Sequence, residues 1–402
     1  MLETQGKGDL WNVSKINFID EIAKQFSFSN NIIISDCTLR DGEQQAGVVF
    51  TKQDKIEIAK MLDELGVHEI ESGMPAVSME DREAIETISS LGLKAKLTAL
   101  SRAKKEDIDI VAETGVWGIS ISLPIGDLQR EHKLKMTKEE YIKTCLTMTE
   151  YAKKKGLFVI LSPYDTTRVE QSFLEEFLNR ITDEQTVDRI RLVDTVGSAH
   201  PLTIKYIVKK MKGIIGELPI EVHTHNDFGL ATANTLAALE AGAEIASVTL
   251  NGIGERSGNC SLEEVVVALK VLYGIDIGIQ LDKLKEVSKR LELISNIQLQ
   301  PHKAVVGENS FQHESGMIVA GLLKNSFTAE PYVPELVGQK RNIVIGKKTG
   351  FQSLAKKLEE MNVNIPVEQI ENLLPELKSL AISKKRALTD HEIRIFFQDN
   401  KS

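Results

Sequence analysis

The feature that most restricts the fold is a repeated alternation of two kinds of segment. Eight short apolar runs, at 32–36, 68–72, 94–100, 117–123, 157–162, 189–194, 219–223 and 246–250, have the length and composition of buried strands. Helical segments follow them near 53–65, 79–91, 104–114, 138–155, 170–183, 201–213, 229–241 and 261–272. Their apolar residues recur every three or four positions, the period of a helix with one buried face. Thr51, Thr137 and Ser261 stand where helix starts need a capping oxygen. Eight strand–helix units in strict alternation predict an α/β chain folded as a (β/α)8 TIM barrel rather than an open doubly wound sheet. No Gly-x-Gly-x-x-Gly follows the first strand, which argues against a dinucleotide site.

The alternation stops near residue 275. Residues 1–30 read as an N-terminal extension with one amphipathic helix near 16–26, residues 31–275 as the barrel, and residues 276–402 as a C-terminal arm and helical subdomain. In the last part, 281–296 reads as a helix and 297–346 as an irregular stretch broken by Pro301, Gly307, Gly316, Gly321, Pro331, Pro334, Gly338 and Gly346. Helical periods return at 350–361, 366–380 and 389–397. A chain of 402 residues fits a barrel with an appendage, and 42% hydrophobic content can fill its core. The net charge of −9 gives no electrostatic basis for general nucleic-acid binding. No run of ~18 apolar residues is present, so no membrane span is expected. Met1 to Phe18 lacks the apolar core of a signal peptide. Cys37, Cys145 and Cys260 are odd in number and dispersed, which predicts neither a disulfide framework nor a cysteine-based zinc site, and a reducing cytoplasm.

Catalytic groups of such a barrel gather at the C-terminal ends of its strands. The seventh strand ends in His223-Thr224-His225, and residues i and i+2 of a strand face the same way. The two imidazoles can therefore share a divalent metal, although a pair of turn histidines shows the same pattern. The first strand runs into Asp36-Cys37-Thr38-Leu39-Arg40-Asp41-Gly42-Glu43-Gln44. Asp41 can add a carboxylate to the metal set, and Arg40 can hydrogen-bond an oxyanion; a solvated Arg–Asp pair is the alternative. Thr195, after the sixth strand, can bind a substrate carboxylate or cap the next helix. Asn259 closes a glycine-rich turn and can be a ligand or an N-cap.

Leu39-Arg40-Asp41-Gly42-Glu43-Gln44, His223-Thr224-His225-Asn226-Asp227, Gly254-Glu255-Arg256-Ser257-Gly258-Asn259 and His313-Glu314-Ser315-Gly316 resemble the motifs of the homocitrate, isopropylmalate and citramalate synthase family. The likeness extends from about residue 31 to about 361 and is closest in character to nitrogen-fixation-type homocitrate synthases. It implies a divalent metal (Mg, Mn or Zn) on Asp41, His223 and His225, with Asn259 near or in its shell. It implies that acetyl-CoA or another acyl-CoA condenses with a 2-oxo acid and that CoA is released. Arg40, Gln44 and Thr195 would contact substrate. The later arm would cross to a partner subunit, so that His313 serves the neighbour's site in a homodimer.

The chain departs from that pattern in three places. Tyr164, in Ser162-Pro163-Tyr164-Asp165, stands where the family carries a glutamate. Phe327-Thr328-Ala329-Glu330 lacks the family's tyrosine, and Ile318 replaces a second histidine in the arm. Proton transfer can then fall to His313, Asp165 or Tyr164. The alternative is carbon–carbon cleavage of the hydroxymethylglutaryl-CoA lyase type. The absence of an amino-acid-sensing domain after residue 400 favours a short, unregulated synthase for 2-oxoglutarate or a similar diacid. Lys133, Arg102 and Arg130 are candidate partners for its distal carboxylate.

Overall fold

The computed structural model describes residues 9–399. Eight parallel strands close into a barrel in chain order. They are β1 (Ile33–Asp36), β2 (Glu69–Glu71), β3 (Lys96–Arg102), β4 (Gly118–Ser122), β5 (Phe158–Ser162), β6 (Arg189–Asp194), β7 (Ile220–Thr224) and β8 (Ile245–Val248). Closure is made by β1 on β8, with Ile33 opposite Ile245 and Asp36 opposite Val248. After a single turn, α1 (Asp20–Ala23), the helices around the barrel are α2 (Lys52–Leu65), α3 (Met79–Ser89), α4 (Lys105–Glu113), α5 (Asp127–Gln129, one turn in the β4 loop), α6 (Lys138–Lys154), α7 (Gln171–Glu184), α8 (Pro201–Ile215), α9 (Ala231–Glu240) and α10 (Leu262–Leu272). The expected (β/α)8 barrel is the observed fold.

Local chemistry sets the helix starts. Thr51 and Thr137 open α2 and α6 with reciprocal capping boxes: their hydroxyls accept from Asp54 and Glu140 N–H, and those carboxylates accept from the threonine N–H groups at 2.9 and 2.8 Å. The expected single helix near 16–26 is instead a 3-10 turn at Lys15–Phe18 followed by α1. Ile19 at the N-cap of α1 provides no capping oxygen, and each piece is too short to sustain itself. The remainder of the expected extension, residues 1–8, lies outside the described residues.

The described chain forms two compact units: residues 16–298, and residues 299–399 together with 9–15. The boundary expected at 275/276 therefore falls at 298/299. Helix α11 (Leu284–Ser295) belongs to the barrel unit because Asn251, in the β8 loop, donates to the Ser288 carbonyl at 2.9 Å and Arg290 pairs with Glu57 of α2. In the other unit, two-residue strands β9 (Gln312–His313) and β10 (Asn342–Ile343) pair in parallel. The helices there are α12 (Gly316–Leu322), α13 (Phe351–Glu360), α14 (Val367–Lys384) and α15 (Asp390–Asp399). Val319, Ile345, Leu354, Leu377, Ile393 and Phe397 lie in its own apolar core. Residues 9–15 join this unit through Asn12 N–H to the Pro331 carbonyl and Val333 N–H to the Leu10 carbonyl, both at 2.9 Å. Among the described residues no helix is long and apolar enough to cross a membrane.

Candidate metal and substrate site

Charged residues alternate along three of the buried barrel strands: Glu69 and Glu71 on β2, Arg189 and Arg191 on β6, Glu221 and His223 on β7. Strand parity points each pair into the barrel, where they pair with one another. Arg189 grips Glu69 through two N–H groups at 2.6 and 2.7 Å and reaches Glu221 at 3.3 Å. Arg191 bridges Glu71 at 3.1 Å and Glu221 at 2.8 Å. Arg40 donates to Glu71 at 2.7 Å and lies 3.3 Å from Asp41. Burial alone would raise the Glu71 pKa, but Arg191 and Arg40 outweigh it and bring it down to about 2. Three guanidinium groups and four carboxylates make up this ladder, so one negative charge remains at its upper end.

That end is Asp41. Its Oδ2 lies 2.9 Å from His223 Nε2 and 3.7 Å from His225 Nε2, and the two imidazole nitrogens are 3.2 Å apart. All three side chains are buried. Burial opposes ionisation of Asp41, yet Arg40 and the imidazoles hold its carboxyl well below the usual carboxylate range. Burial, reinforced by His223, pushes the His225 imidazole down to about 3, which keeps its ring neutral at physiological pH. Ser247 Oγ stands 2.9 Å from His223 Nδ1, on the side away from Asp41, and fixes the ring. An ionised carboxylate and two imidazole nitrogens converging out of water are the donors a divalent cation requires.

Asn259 completes the set. An antiparallel bridge aligns it with His225, and its Oδ1 is a buried acceptor without a hydrogen-bond partner. It does not cap α10, whose N-cap position is Ser261. A side chain at Gly254 would collide with the Asn259 amide, so that turn requires a glycine. Asp41, His223, His225 and Asn259 thus fit a metal on the chemistry of the site. Cys37 also lies within reach of Asp41 and His223. Its thiol donates to the Val248 carbonyl at 3.2 Å, and burial pushes its pKa well above the usual thiol range, so it packs behind the ring as a neutral group.

The cluster forms the floor of a cavity of about 480 Å³, whose wall includes Arg40, Gln44, Ser122, Lys133, Tyr164 and Thr195. Thr195 is not a helix cap; His200 fills that position for α8. The Thr195 hydroxyl accepts from Asp165 N–H at 2.7 Å, which leaves its own proton to donate. Arg256 holds the Thr195 carbonyl at 2.6 Å and both oxygens of Asp227 at 2.8 and 2.9 Å, tying the β6, β7 and β8 loops together. Tyr164 lines the cavity and accepts from Lys133 Nζ at 2.9 Å. Asp165 departs from its expected role as a proton acceptor. Its backbone turns left-handed (φ +67°), its carboxylate lies against Gly126, and Arg168 takes both oxygens at 2.7 and 2.9 Å. Of the three candidate cations, Arg102 is engaged by Asp107 at 2.5 and 3.0 Å. Arg130 is engaged by Asp127, Glu131 and the Met136 carbonyl. His313 belongs to the other unit, where Glu330 holds it at 3.0 Å.

Glu71, Arg191 and Glu221 were not singled out from the sequence, and Arg256 stood there only as a member of the glycine-rich motif that ends at Asn259. The first three carry a legible signal, charged residues at i and i+2 inside runs otherwise apolar enough for a buried strand. The loop-tying role of Arg256 is not legible from its motif, because its partners lie 29 and 61 positions away.

A closed parallel barrel with a carboxylate–imidazole cluster at the floor of its mouth defines the class as a barrel enzyme built around a candidate metal centre. Residues 31–291 match the HMGL-like family model, and residues 305–385 match the model for the homocitrate synthase post-HMGL domain. The chain is 44% identical to homocitrate synthase AksA of Methanopyrus kandleri over 94% of each chain. It is 43% identical to 2-isopropylmalate synthase 2 of Caldanaerobacter subterraneus over 93% of this chain and 97% of that one. It is 45% identical to the (R)-citramalate synthase CimA of Methanocaldococcus jannaschii over 86% of this chain and 70% of that one. The solved hydroxymethylglutaryl-CoA lyase of Pseudomonas aeruginosa shares the fold, with a TM-score of 0.59 at 18% identity over 68% of this chain and 95% of that one. The chain belongs to the HMGL-like family, in the group of homocitrate, isopropylmalate and citramalate synthases, and is an enzyme of that acyltransferase type.

Proposed function

We propose that the protein condenses acetyl-CoA with a 2-oxo diacid of the 2-oxoglutarate kind, at a divalent metal held by Asp41, His223 and His225 with Asn259 alongside. Water and the two substrates give a 2-hydroxy acid bearing a new carboxymethyl group, plus free CoA. When bound, the metal supplies a Lewis acid for the 2-oxo group. Arg40, fixed by Glu71 and Asp41, aims its remaining N–H groups at the oxygen that gains negative charge. The Thr195 hydroxyl and Gln44 orient the substrate carboxylate from the cavity wall. His313 takes the proton from the acetyl methyl group. It is delivered by the arm of a partner subunit in a homodimer, and the enzyme works in the cytoplasm.

The observation that carries the choice of acceptor is Lys133. Arg102 and Arg130 are engaged by carboxylates, whereas Lys133 Nζ lines the cavity and donates to the Tyr164 hydroxyl rather than to a carboxylate. A second acid group on the acceptor gives it a charged partner. Against the lyase reading, residues 305–385 match the model for the homocitrate synthase post-HMGL domain. The test is Lys133→Met. A charge-assisted bond of roughly 1.5–3 kcal/mol is lost, so KM for 2-oxoglutarate should rise by about tenfold or more. Turnover of pyruvate, which has no distal acid, should not change. Equal effects on both acceptors contradict the assignment.

A further inference from the structure

His313 is the end of a chain of polar contacts within its own unit, centred on a buried carboxylate. Its Nε2 lies 3.0 Å from Glu330 Oε1. Glu330 is only 3% exposed, and Arg341 holds it with Nε on Oε1 at 2.8 Å and Nη2 on Oε2 at 2.5 Å. The histidine backbone is fixed as well. His313 pairs with Ile343 in the β9–β10 ladder, and the Val344 N–H donates to its carbonyl at 3.0 Å.

An ionised carboxylate only accepts hydrogen bonds, and a two-point guanidinium contact favours the ionised form. The imidazole nitrogen facing Glu330 must then be the protonated one. We infer that Glu330, clamped by Arg341, is a positioning residue that fixes His313 as its Nε2–H tautomer and leaves the Nδ1 lone pair as the proton acceptor. When Nδ1 takes the acetyl methyl proton, the ring becomes an imidazolium whose Nε2–H already lies against a negative charge. The proton later leaves for solvent. This inference rests on the reading of His313 as the base.

Histidine-selective 15N labelling tests the arrangement before any substitution, with His313→Ala assigning the signal. The full-length enzyme should show His313 in a single Nε2–H tautomer at pH 8. In Glu330→Gln either amide orientation sets an N–H against an Arg341 N–H, so the clamp opens and the tautomer signal becomes a mixture. In that variant kcat should fall on the order of 100-fold, the scale of general-base assistance, with acceptor KM held within about threefold. An Nδ1–H tautomer in the unmodified enzyme overturns the inference, whether or not the variant folds. An unchanged tautomer in Glu330→Gln also overturns it. A changed tautomer with unchanged kcat instead removes His313 from the reaction and leaves the clamp standing, so the two failures are distinguishable.

Discussion

His225 contributes one nitrogen to the candidate centre and little to the packing of the barrel. It directly follows Thr224, the last residue of β7, and its backbone N–H donates to the Asp194 carbonyl at 3.3 Å. Replacing it with alanine removes a donor from a set of three side chains without opening the apolar core. His225→Ala should therefore keep the circular dichroism and melting temperature close to those of the parent, within a few degrees, yet lose bound metal and metal-dependent turnover. Retention of metal in the variant, measured by elemental analysis after dialysis, would argue against the proposed ligand set. The two histidines of this candidate centre were legible because parity in a strand is a strong rule: two residues apart means the same side. Asp165 shows the opposite case. It directly follows the cavity-lining Tyr164, but a left-handed backbone turns its carboxylate to Arg168, and nothing in its neighbourhood announces a positive φ at a non-glycine residue.

The strands themselves hold a buried ladder of ions, and this gives the barrel a pH dependence with a definite sign. Glu71 is depressed from an ordinary 4.5 to about 2 in the fold. A depressed carboxylate stabilises the fold above its unfolded pKa, and that contribution fades as pH falls from 4.5 towards 2. A shift of this size corresponds to about 3 kcal/mol. Glu71→Gln removes the charge that compensates Arg40 and Arg191 and should cost about 3 kcal/mol at pH 7. The gap from the parent protein should narrow as pH falls below 4.5, because the unfolded parent then takes up a proton at Glu71 while the folded ladder keeps that carboxylate ionised down to about 2. Urea denaturation at pH 7 and pH 4 checks this; a gap that stays constant or widens on acidification contradicts the ladder. The helices were easier to read than this ladder. Their starts are local, as at Thr51 and Thr137, whereas the ion pairs join residues as far apart as Glu69 and Arg189.

At the scale of the molecule, the alternation of strand and helix identified the barrel, but it could not place the end of the barrel unit. Helix α11 carries no strand before it, so it reads as part of the arm. Only its contacts with the β8 loop and α2 assign it to the barrel unit. The short segment 9–15 joins the opposite unit through two backbone hydrogen bonds that no sequence period reveals. Each unit thus carries one part of the proposed chemistry: the barrel holds the metal and substrate groups, and the other holds His313 with its Glu330–Arg341 clamp. The most direct test of the account is CoA release from acetyl-CoA, assayed with oxaloacetate, 2-oxoglutarate, pyruvate and 2-oxoisovalerate, with and without Mg, Mn or Zn. The account predicts release that requires both a divalent metal and an acceptor, is greatest with 2-oxoglutarate, and stops on chelation. Release that ignores the acceptor, or none with any acceptor at any metal, would contradict it.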